Sequence, residues 1–127
     1  MDAATRSLVR VRAGNLCEYC HIHQDEESFA RYQIEHIIAK QHGGLDDEIN
    51  LALACPHCNC NKGPNLCGFD TLEGKIIPLF HPRLQKWDEH FELQGSFVFG
   101  RTVVGRITVR VLKMNHRDRI ELRKRLN

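Results

Sequence analysis

The 127-residue sequence predicts an α+β fold in one domain. Its length suits a single domain with a core of moderate size. Short stretches rich in β-branched and aromatic residues alternate with short stretches of helical periodicity. No internal repeat, low-complexity segment or linker separates them. Strands and helices are therefore expected to share one compact body.

The N-terminal half predicts two helices and two strands. Gly14-Asn15 follows an apolar helical pattern and tolerates the left-handed backbone that ends helices. Gly63-Pro64 breaks the chain after a second helical segment. The predicted elements are a helix over residues 2–13, strands over 29–38 and 51–54, and a short helix over 59–66.

The C-terminal half predicts hairpins followed by helices. Glu73-Gly74 and Gln94-Gly95 are turn sequences between apolar stretches. Residues 102–114 are β-branched, which favours a strand, but their apolar residues recur at helical spacing and Thr102 is a suitable N-cap. We predict a helix there and a final helix over residues 116–126.

Composition excludes several classes of protein. No stretch approaches the roughly 18 apolar residues of a membrane span, and the N-terminus lacks the apolar run of a signal peptide. An intracellular, cytoplasmic location is therefore expected. In that reducing environment cysteines serve metals or chemistry more often than disulfides.

Charge is distributed unevenly although the net charge is only +2. Between Glu18 and Glu48 there are eight acidic and two basic residues, whereas residues 101–127 contain nine basic and two acidic residues. A basic segment of this kind is typical of nucleic-acid binding. The alternative is a solvated helix face that only maintains solubility.

Two Cys-x-x-Cys pairs predict a zinc site. The tight turn of each pair points both sulfurs inward, and two such turns supply the four thiolates of tetrahedral structural zinc. The alternative for paired cysteines is disulfide or redox chemistry. The 34 residues between the pairs exceed the gap of a simple zinc ribbon, so a folded segment must lie between them. The predicted ligands are Cys17, Cys20, Cys55 and Cys58.

Several neighbouring residues have no assigned part in this site. Cys60 and Cys67 do not fit the spacing and are interpreted as small, partly buried apolar residues. Three histidines near the pairs are alternative ligands, namely His21, His23 and His57. Four cysteines saturate the ion, so this zinc should be structural rather than catalytic.

The segment between the pairs resembles the HNH endonucleases. The motif reads Glu35-His36, Gly43-Gly44, Asn50-Leu51, then Cys55-Pro56-His57-Cys58-Asn59 and Lys62-Gly63, in the family's order and spacing. Each piece alone is weak, but the set is specific. The resemblance covers about residues 17–63, and the C-terminal half resembles an extension found in some bacterial members. It implies a single HNH domain over residues 1–127, with the core motif at about 15–67 and the extension at about 68–127.

The resemblance also implies a ββα-metal fold and a set of roles. His36 would be the general base, since a neutral imidazole accepts a proton at pH 7. Glu35 and Asn59 would hold a catalytic Mg²⁺ or Mn²⁺ through oxygen atoms. Asn50 would brace the loop that orients His36. Because Glu35 and His36 point to opposite faces of an ideal strand, the strand must end or bulge there.

Function follows from these roles. The expected activity is metal-dependent DNA cleavage by an intracellular bacterial protein, with double-stranded DNA as partner, no membrane, and a monomeric or dimeric state. The alternatives are a zinc-stabilised nucleic-acid-binding module without cleavage, and a zinc domain that binds protein. Asn59 alone could also be a helix N-cap. Candidate nucleic-acid contacts are Lys62, Arg83, Arg106 and Arg110.

Overall fold

The structure, a computed structural model, describes residues 1–126 and confirms the α+β class. Helices and two-stranded antiparallel sheets alternate along the chain. The chain divides into two compact units, Met1–Pro64 and a second that begins at Asn65. That boundary lies near the expected end of the core motif at residue 67, and the assignment of the whole chain to one domain stays a prediction.

The first unit contains two helices and one sheet. Strands β1 and β2 pair antiparallel, with Gln33 opposite Ala54 and His36 opposite Leu51. Asp2 caps α1 by accepting a hydrogen bond from the Thr5 amide at 2.8 Å. The elements are α1 (Ala3–Ala13), β1 (Gln33–His36), β2 (Leu51–Ala54) and α2 (Pro56–Lys62).

The predicted bounds of β1 (29–38) and α2 (59–66) were wrong at both ends. Strand β1 begins four residues later than predicted, because the Tyr32 amide donates to the Gln24 side chain at 2.6 Å instead of joining a ladder. Helix α2 begins at Pro56 rather than Asn59. Cys55 is its N-cap, since the Cys55 sulfur accepts from the Cys58 amide and proline suits the first helical position.

Strand β2 is the centre of this unit. All four of its residues are fully buried, which explains its continuous apolar sequence. Helix α1 packs against it and buries Val9. Arg12 ties the two elements together by donating to the Leu51 carbonyl at 2.7 Å and the Glu48 carbonyl at 2.9 Å.

The second unit consists of two hairpins, a short helix and two longer helices. Asn115 joins a helix end to a strand, because its amide donates to the Val98 carbonyl and accepts from the Val98 amide, both at 2.9 Å. The elements are β3 (Cys67–Asp70), β4 (Lys75–Pro78), α3 (Trp87–His90), β5 (Phe91–Gln94), β6 (Phe97–Gly100), α4 (Val103–Val111) and α5 (Arg117–Leu126).

The helical interpretation of residues 102–114 is confirmed, since α4 begins after Thr102, whose hydroxyl accepts from the Gly105 amide. The basic C-terminal segment is less exposed than its sequence suggests. Arg119 and Arg123 are buried, and Arg123 donates to the Met114 carbonyl at 2.8 Å. Within residues 1–126, the helices are too short or too polar to cross a membrane.

Candidate functional site

Four cysteines converge in the first unit. The Sγ atoms of Cys17, Cys20, Cys55 and Cys58 all lie within 4.8 Å of one another, and all four residues are buried. The Sγ atoms of Cys20 and Cys55 are 3.8 Å apart. A disulfide requires about 2.05 Å between sulfurs. The four cysteines are therefore unbridged thiols, and the disulfide alternative loses its support.

This geometry fits zinc. Four sulfurs at about 2.3 Å from a tetrahedral ion lie about 3.8 Å from one another. Burial raises the pKa of the Cys17 thiol well above its usual range, so a cluster of thiolates needs a cation to compensate its charge. Ligand type, number and spacing are thus those of a structural zinc site.

Local hydrogen bonds shape the two cysteine turns. The Cys20 amide points at the Cys17 sulfur, and the Cys58 amide points at the Cys55 sulfur at 3.3 Å. Glu18, inside the first turn, exchanges two hydrogen bonds of 2.8 Å with the backbone of Leu53. The first turn is thereby fixed to β2, which runs directly into the second turn.

Glu35 lies in the interior beside this cluster. Its carboxylate accepts from the hydroxyl of Tyr19, which belongs to the first cysteine turn, and pairs with the Lys62 ammonium at 3.1 Å. Burial raises the pKa of Glu35 against the opposing effect of Lys62. Burial also raises the pKa of Tyr19 well above its usual range, so its hydroxyl stays a donor.

The predicted phosphate contact by Lys62 is not what the structure shows. Lys62 is only 2% exposed, and its ammonium donates to the Ile37 carbonyl at 2.9 Å and the His36 carbonyl at 3.3 Å, in addition to pairing with Glu35. A buried ammonium with three internal oxygen partners is an internal counterion rather than a surface contact. Lys62 instead holds the end of β1 in place.

His36 is the last residue of β1 and faces the loop that follows. Its Nε2 atom lies 2.6 Å from a carboxylate oxygen of Asp46. Hydrogen bonding to His36 lowers the pKa of Asp46, so this carboxylate is ionised and accepts the proton on Nε2. Asp46 also lies 3.4 Å from the Lys40 ammonium. Strand β1 ends at His36, which is the condition under which Glu35 and His36 can serve one site.

Asn59 sits in α2, within reach of β1. Its Nδ2 atom donates to the side-chain oxygen of Gln33, which leaves the Asn59 carbonyl oxygen available. Gln33 and Glu35 lie on the same face of β1, two residues apart. The N-cap alternative for Asn59 was wrong, because Cys55 occupies that position.

The loop between His36 and β2 is braced by Asn50. Its side-chain oxygen accepts from the Ile38 amide at 2.8 Å, and its Nδ2 donates to the carbonyls of Ile38 and Leu45, both at 3.0 Å. Gly44 is required here, because a Cβ at this position would lie 1.7 Å from the Ile38 carbonyl oxygen. This is the arrangement that the predicted scaffold role requires.

The structure thus brings three predicted residues into one open pocket of about 500 Å³. Glu35, His36 and Asn59 line it together with Lys40 and the exposed Cys60. The oxygens of Glu35 and Asn59 are the hard donors that Mg²⁺ and Mn²⁺ prefer. A carboxylate has about four acceptor sites, so Glu35 retains capacity beyond Tyr19 and Lys62. The donor set therefore fits a weakly held divalent ion.

The other predicted nucleic-acid contacts belong to the second unit. Arg106 is exposed, whereas Arg83 is half-buried. Arg110 donates to the Phe69 carbonyl and so ties α4 to the β3–β4 hairpin. Arg110 is therefore engaged in holding its own unit together.

Sequence reasoning missed Tyr19 and Asp46. Tyr19 sits between two metal-ligating cysteines, where a spacer would be expected, and only the fold shows that its hydroxyl reaches Glu35. Asp46 lies two residues after Gly44, in an acidic stretch that is typical of a solvated surface. Its spacing of ten residues from His36 carries no periodic signal.

Comparison with known proteins bears on the same segment. Residues 17–65 match the family model described as HNH endonuclease, which confirms the resemblance. The chain is also similar to the Septu protein PtuB of Bacillus thuringiensis, at 30% identity over 111 residues covering 85% of this chain. The chain spans about two fifths of the length of that relative. No solved structure gave a significant match.

Proposed function

We propose that the HNH endonuclease domain formed by residues 17–65 hydrolyses phosphodiester bonds of DNA with the help of a divalent ion. The observation that carries this proposal is the shared pocket of Glu35, His36 and Asn59. The pocket contains a candidate general base and candidate oxygen ligands, which are the two kinds of group that hydrolysis of a phosphodiester requires.

His36 is proposed to activate the attacking water. Because the ionised Asp46 accepts the proton on Nε2, the neutral ring has its free lone pair on Nδ1. Nδ1 is then the nitrogen that takes a proton from water. The hydrogen bond from Lys62 to the His36 carbonyl fixes the backbone from which this ring projects.

Glu35 and Asn59 are proposed to hold Mg²⁺ or Mn²⁺. The bound ion would supply positive charge for the developing charge on the phosphate and its leaving oxygen. The ligand charge from the protein is about −1, from Glu35 alone, and Lys62 already compensates part of it. The chain therefore leaves room for a substrate phosphate to complete the neutralisation.

Double-stranded DNA is the proposed substrate, and cleavage of both strands would need two sites or two successive cuts. A single site can hydrolyse only one phosphodiester bond at a time. A reducing, cytoplasmic location is proposed as well, because Cys60 and Cys67 are exposed and unpaired alongside the four cluster thiols.

A plasmid cleavage assay tests the proposal. Full-length protein is incubated with supercoiled DNA and Mg²⁺ or Mn²⁺, and nicked and linear products are quantified. His36→Ala should lower the rate by about 10²- to 10⁴-fold. His42→Ala is the matched control, since His42 is an exposed histidine on the following loop and lies outside the pocket. Equal rates for His36→Ala and the parent would show that His36 is not the base.

A nucleic-acid-binding module without cleavage is the second candidate. The observation in its favour is that both Glu35 oxygens already have partners inside the protein, the hydroxyl of Tyr19 and the ammonium of Lys62. Salt-dependent DNA binding with no cleavage in any divalent ion would support this function and reject the first.

A further inference from the structure

A second pocket of the first unit lies outside the proposed nuclease site. It has a volume of about 470 Å³ and is lined by residues of α1 and of the chain that leads into β1. Three of its lining residues define it chemically: Arg10, Arg31 and Phe29. Arg6 precedes Arg10 by one helical turn and so lies beside it. We call these four residues the arginine–phenylalanine patch.

The arginines of this patch repel one another. Partial burial, together with the neighbouring guanidinium groups of Arg31 and Arg6, lowers the pKa of Arg10. Across residues 1–126, no ion pair is formed by any of the three. One acid, Asp25, lines the pocket, and its carboxylate lies 3.5 Å from the His23 ring. The patch therefore keeps a positive charge that the protein itself does not neutralise.

Arg12 shows that α1 uses its arginines in two ways. Arg12 donates to two backbone carbonyls of the first unit and so stabilises the fold. Arg6 and Arg10 make no such contacts among the described residues. Two unengaged guanidinium groups on one helix face are a site for an anion that comes from outside.

Phe29 adds an apolar ring to this charged surface. Its side chain is 91% exposed, the highest value among the large apolar residues of the described chain. Exposing a phenylalanine to water has no benefit for the fold. An aromatic face beside arginines is the combination with which proteins bind single-stranded nucleic acid, through base stacking and phosphate contacts.

We propose that the arginine–phenylalanine patch binds a single-stranded segment of nucleic acid, with phosphates on Arg10 and Arg31 and an unpaired base stacked on Phe29. The inference deepens the proposed function and rests on it for the view that nucleic acid is the substrate. A duplex keeps its bases stacked on one another, so only an unpaired base can offer its face to Phe29.

The patch and the proposed nuclease pocket are close along the chain, because Arg31 lies two residues before β1 and His36 is the last residue of that strand. Arg31 and His36 are five residues apart, so their Cα atoms lie at most about 18 Å from each other. At about 3.4 Å of rise per nucleotide, this corresponds to roughly five nucleotides of one strand. A substrate with an unpaired segment next to the cleaved bond can therefore reach both places.

Binding is measured by fluorescence anisotropy in the His36→Ala background, so that cleavage does not interfere. The probes are a labelled single strand, the matching duplex, and a duplex with a single-stranded flap. Arg10→Ala/Arg31→Ala should reduce the slope of log K against log salt by about 1.4 for the single strand, because two phosphate contacts are lost. Phe29→Ala should weaken binding of the single-stranded and flap probes by about tenfold and leave the duplex unchanged.

Matched controls distinguish contacts made by the patch from the effects of net charge and of side-chain hydrophobicity. Lys86→Ala/Arg117→Ala removes the same charge from exposed positions of the second unit and should keep the slope. Phe29→Trp should preserve binding, whereas Phe29→Leu should lose it, since leucine has no aromatic face. An unchanged slope in the arginine variant, an equal loss in the charge control, or equal effects of Phe29→Ala on duplex and single strand would overturn the proposal.

The two proposals fail separately. If the parent cleaves DNA while the patch variants bind every probe as the parent does, the patch is wrong and the nuclease function stands. If the patch variants lose single-strand binding in a protein that cleaves nothing, the nuclease function is wrong and the patch stands.

Discussion

Two candidate metal sites share helix α2 but are built in opposite ways. The cysteine site has four ligands of one kind, none more than 2% exposed. The second site offers one carboxylate and one amide oxygen in an open pocket, and the carboxylate is paired with Lys62. A closed, saturated site stabilises the fold, whereas an open one keeps coordination positions for water and substrate.

The two sites are also mechanically linked. Cys55 and Cys58 supply two of the four cluster sulfurs from the first turn of α2. Asn59 and Lys62 follow on the same helix. Tyr19 provides a second link, from the first cysteine turn to Glu35. Damage to the cysteine site should therefore disturb the open site, but changes in the open site should leave the cysteine site intact.

The largest effect should come from the cysteine site. Cys58→Ser removes a zinc ligand, and because structural zinc contributes about 10–16 kcal/mol in small domains, the first unit should lose its fold. Zinc content by atomic absorption and far-UV circular dichroism with thermal melting measure this loss.

Cys60→Ser is the control for that variant. Cys60 lies two residues further along α2 but is exposed and outside the cluster, so zinc content and melting temperature should match those of the parent. Full zinc content in Cys58→Ser would show that Cys58 is not a zinc ligand.

The next effect concerns the internal counterion of the open site. Lys62→Met leaves the Glu35 carboxylate buried without its partner, which should lower the free energy of unfolding by about 3–5 kcal/mol at neutral pH. Urea denaturation measures it. Zinc content should stay that of the parent, because the Lys62 ammonium binds Glu35 and two backbone carbonyls and is not part of the cysteine cluster.

A double variant sharpens this test. Lys62→Met/Glu35→Gln removes both charges and should recover most of the lost stability, since no buried charge remains. In Lys62→Met alone, Mn²⁺ should raise the melting temperature more than in the parent, because Glu35 is then free of a competing cation. Absence of that shift would argue against Glu35 as an ion ligand.

The difference between the two sites also explains which of their residues could be predicted from the sequence. Cys17, Cys20, Cys55 and Cys58 were predictable because a fixed spacing forces two sulfurs inward wherever the motif occurs. Strand β2 and helix α1 were predicted closely, since each carries its own apolar pattern and caps. Strand β1 was predicted to begin four residues too early, because the Tyr32 amide donates to the Gln24 side chain instead of joining the sheet.

The open site depends on contacts that no local pattern carries. Lys62 looked like a surface residue, and only the packing of α2 against β1 shows that its ammonium meets Glu35, 27 positions earlier in the chain. Tyr19 and Asp46 reach the site across 16 and ten residues of sequence. Arg110 and Arg123 bind backbone carbonyls, and a count of charges along the sequence does not reveal these contacts.

A smaller effect is expected at the oxygen ligand of α2. Asn59→Ala should leave zinc content unchanged and melting temperature nearly so, because Cys55 caps the helix and the hydrogen bond from Asn59 to Gln33 is exposed to solvent. Loss of the neutral oxygen should weaken Mn²⁺-dependent cleavage by at least about tenfold, which a titration of cleavage rate against Mn²⁺ measures. Asn61→Ala, on the same helix but outside the pocket, is the matched control.

The smallest effect should come from Asp46, a positioning residue whose partners in the open site are His36 and Lys40. Asp46→Ala should lower kcat about tenfold or less, with KM little changed, since the pair is half exposed and partly screened by solvent. Asp46→Asn keeps an oxygen that accepts from Nε2 and should restore most of the rate. Asp47→Asn is the matched control, because Asp47 caps the neighbouring turn and does not contact the ring. If both Asp46 variants cleave at the parent rate, the orientation of His36 comes from the Asn50-braced loop and from Lys62 alone, and the open site then depends on α2 rather than on Asp46.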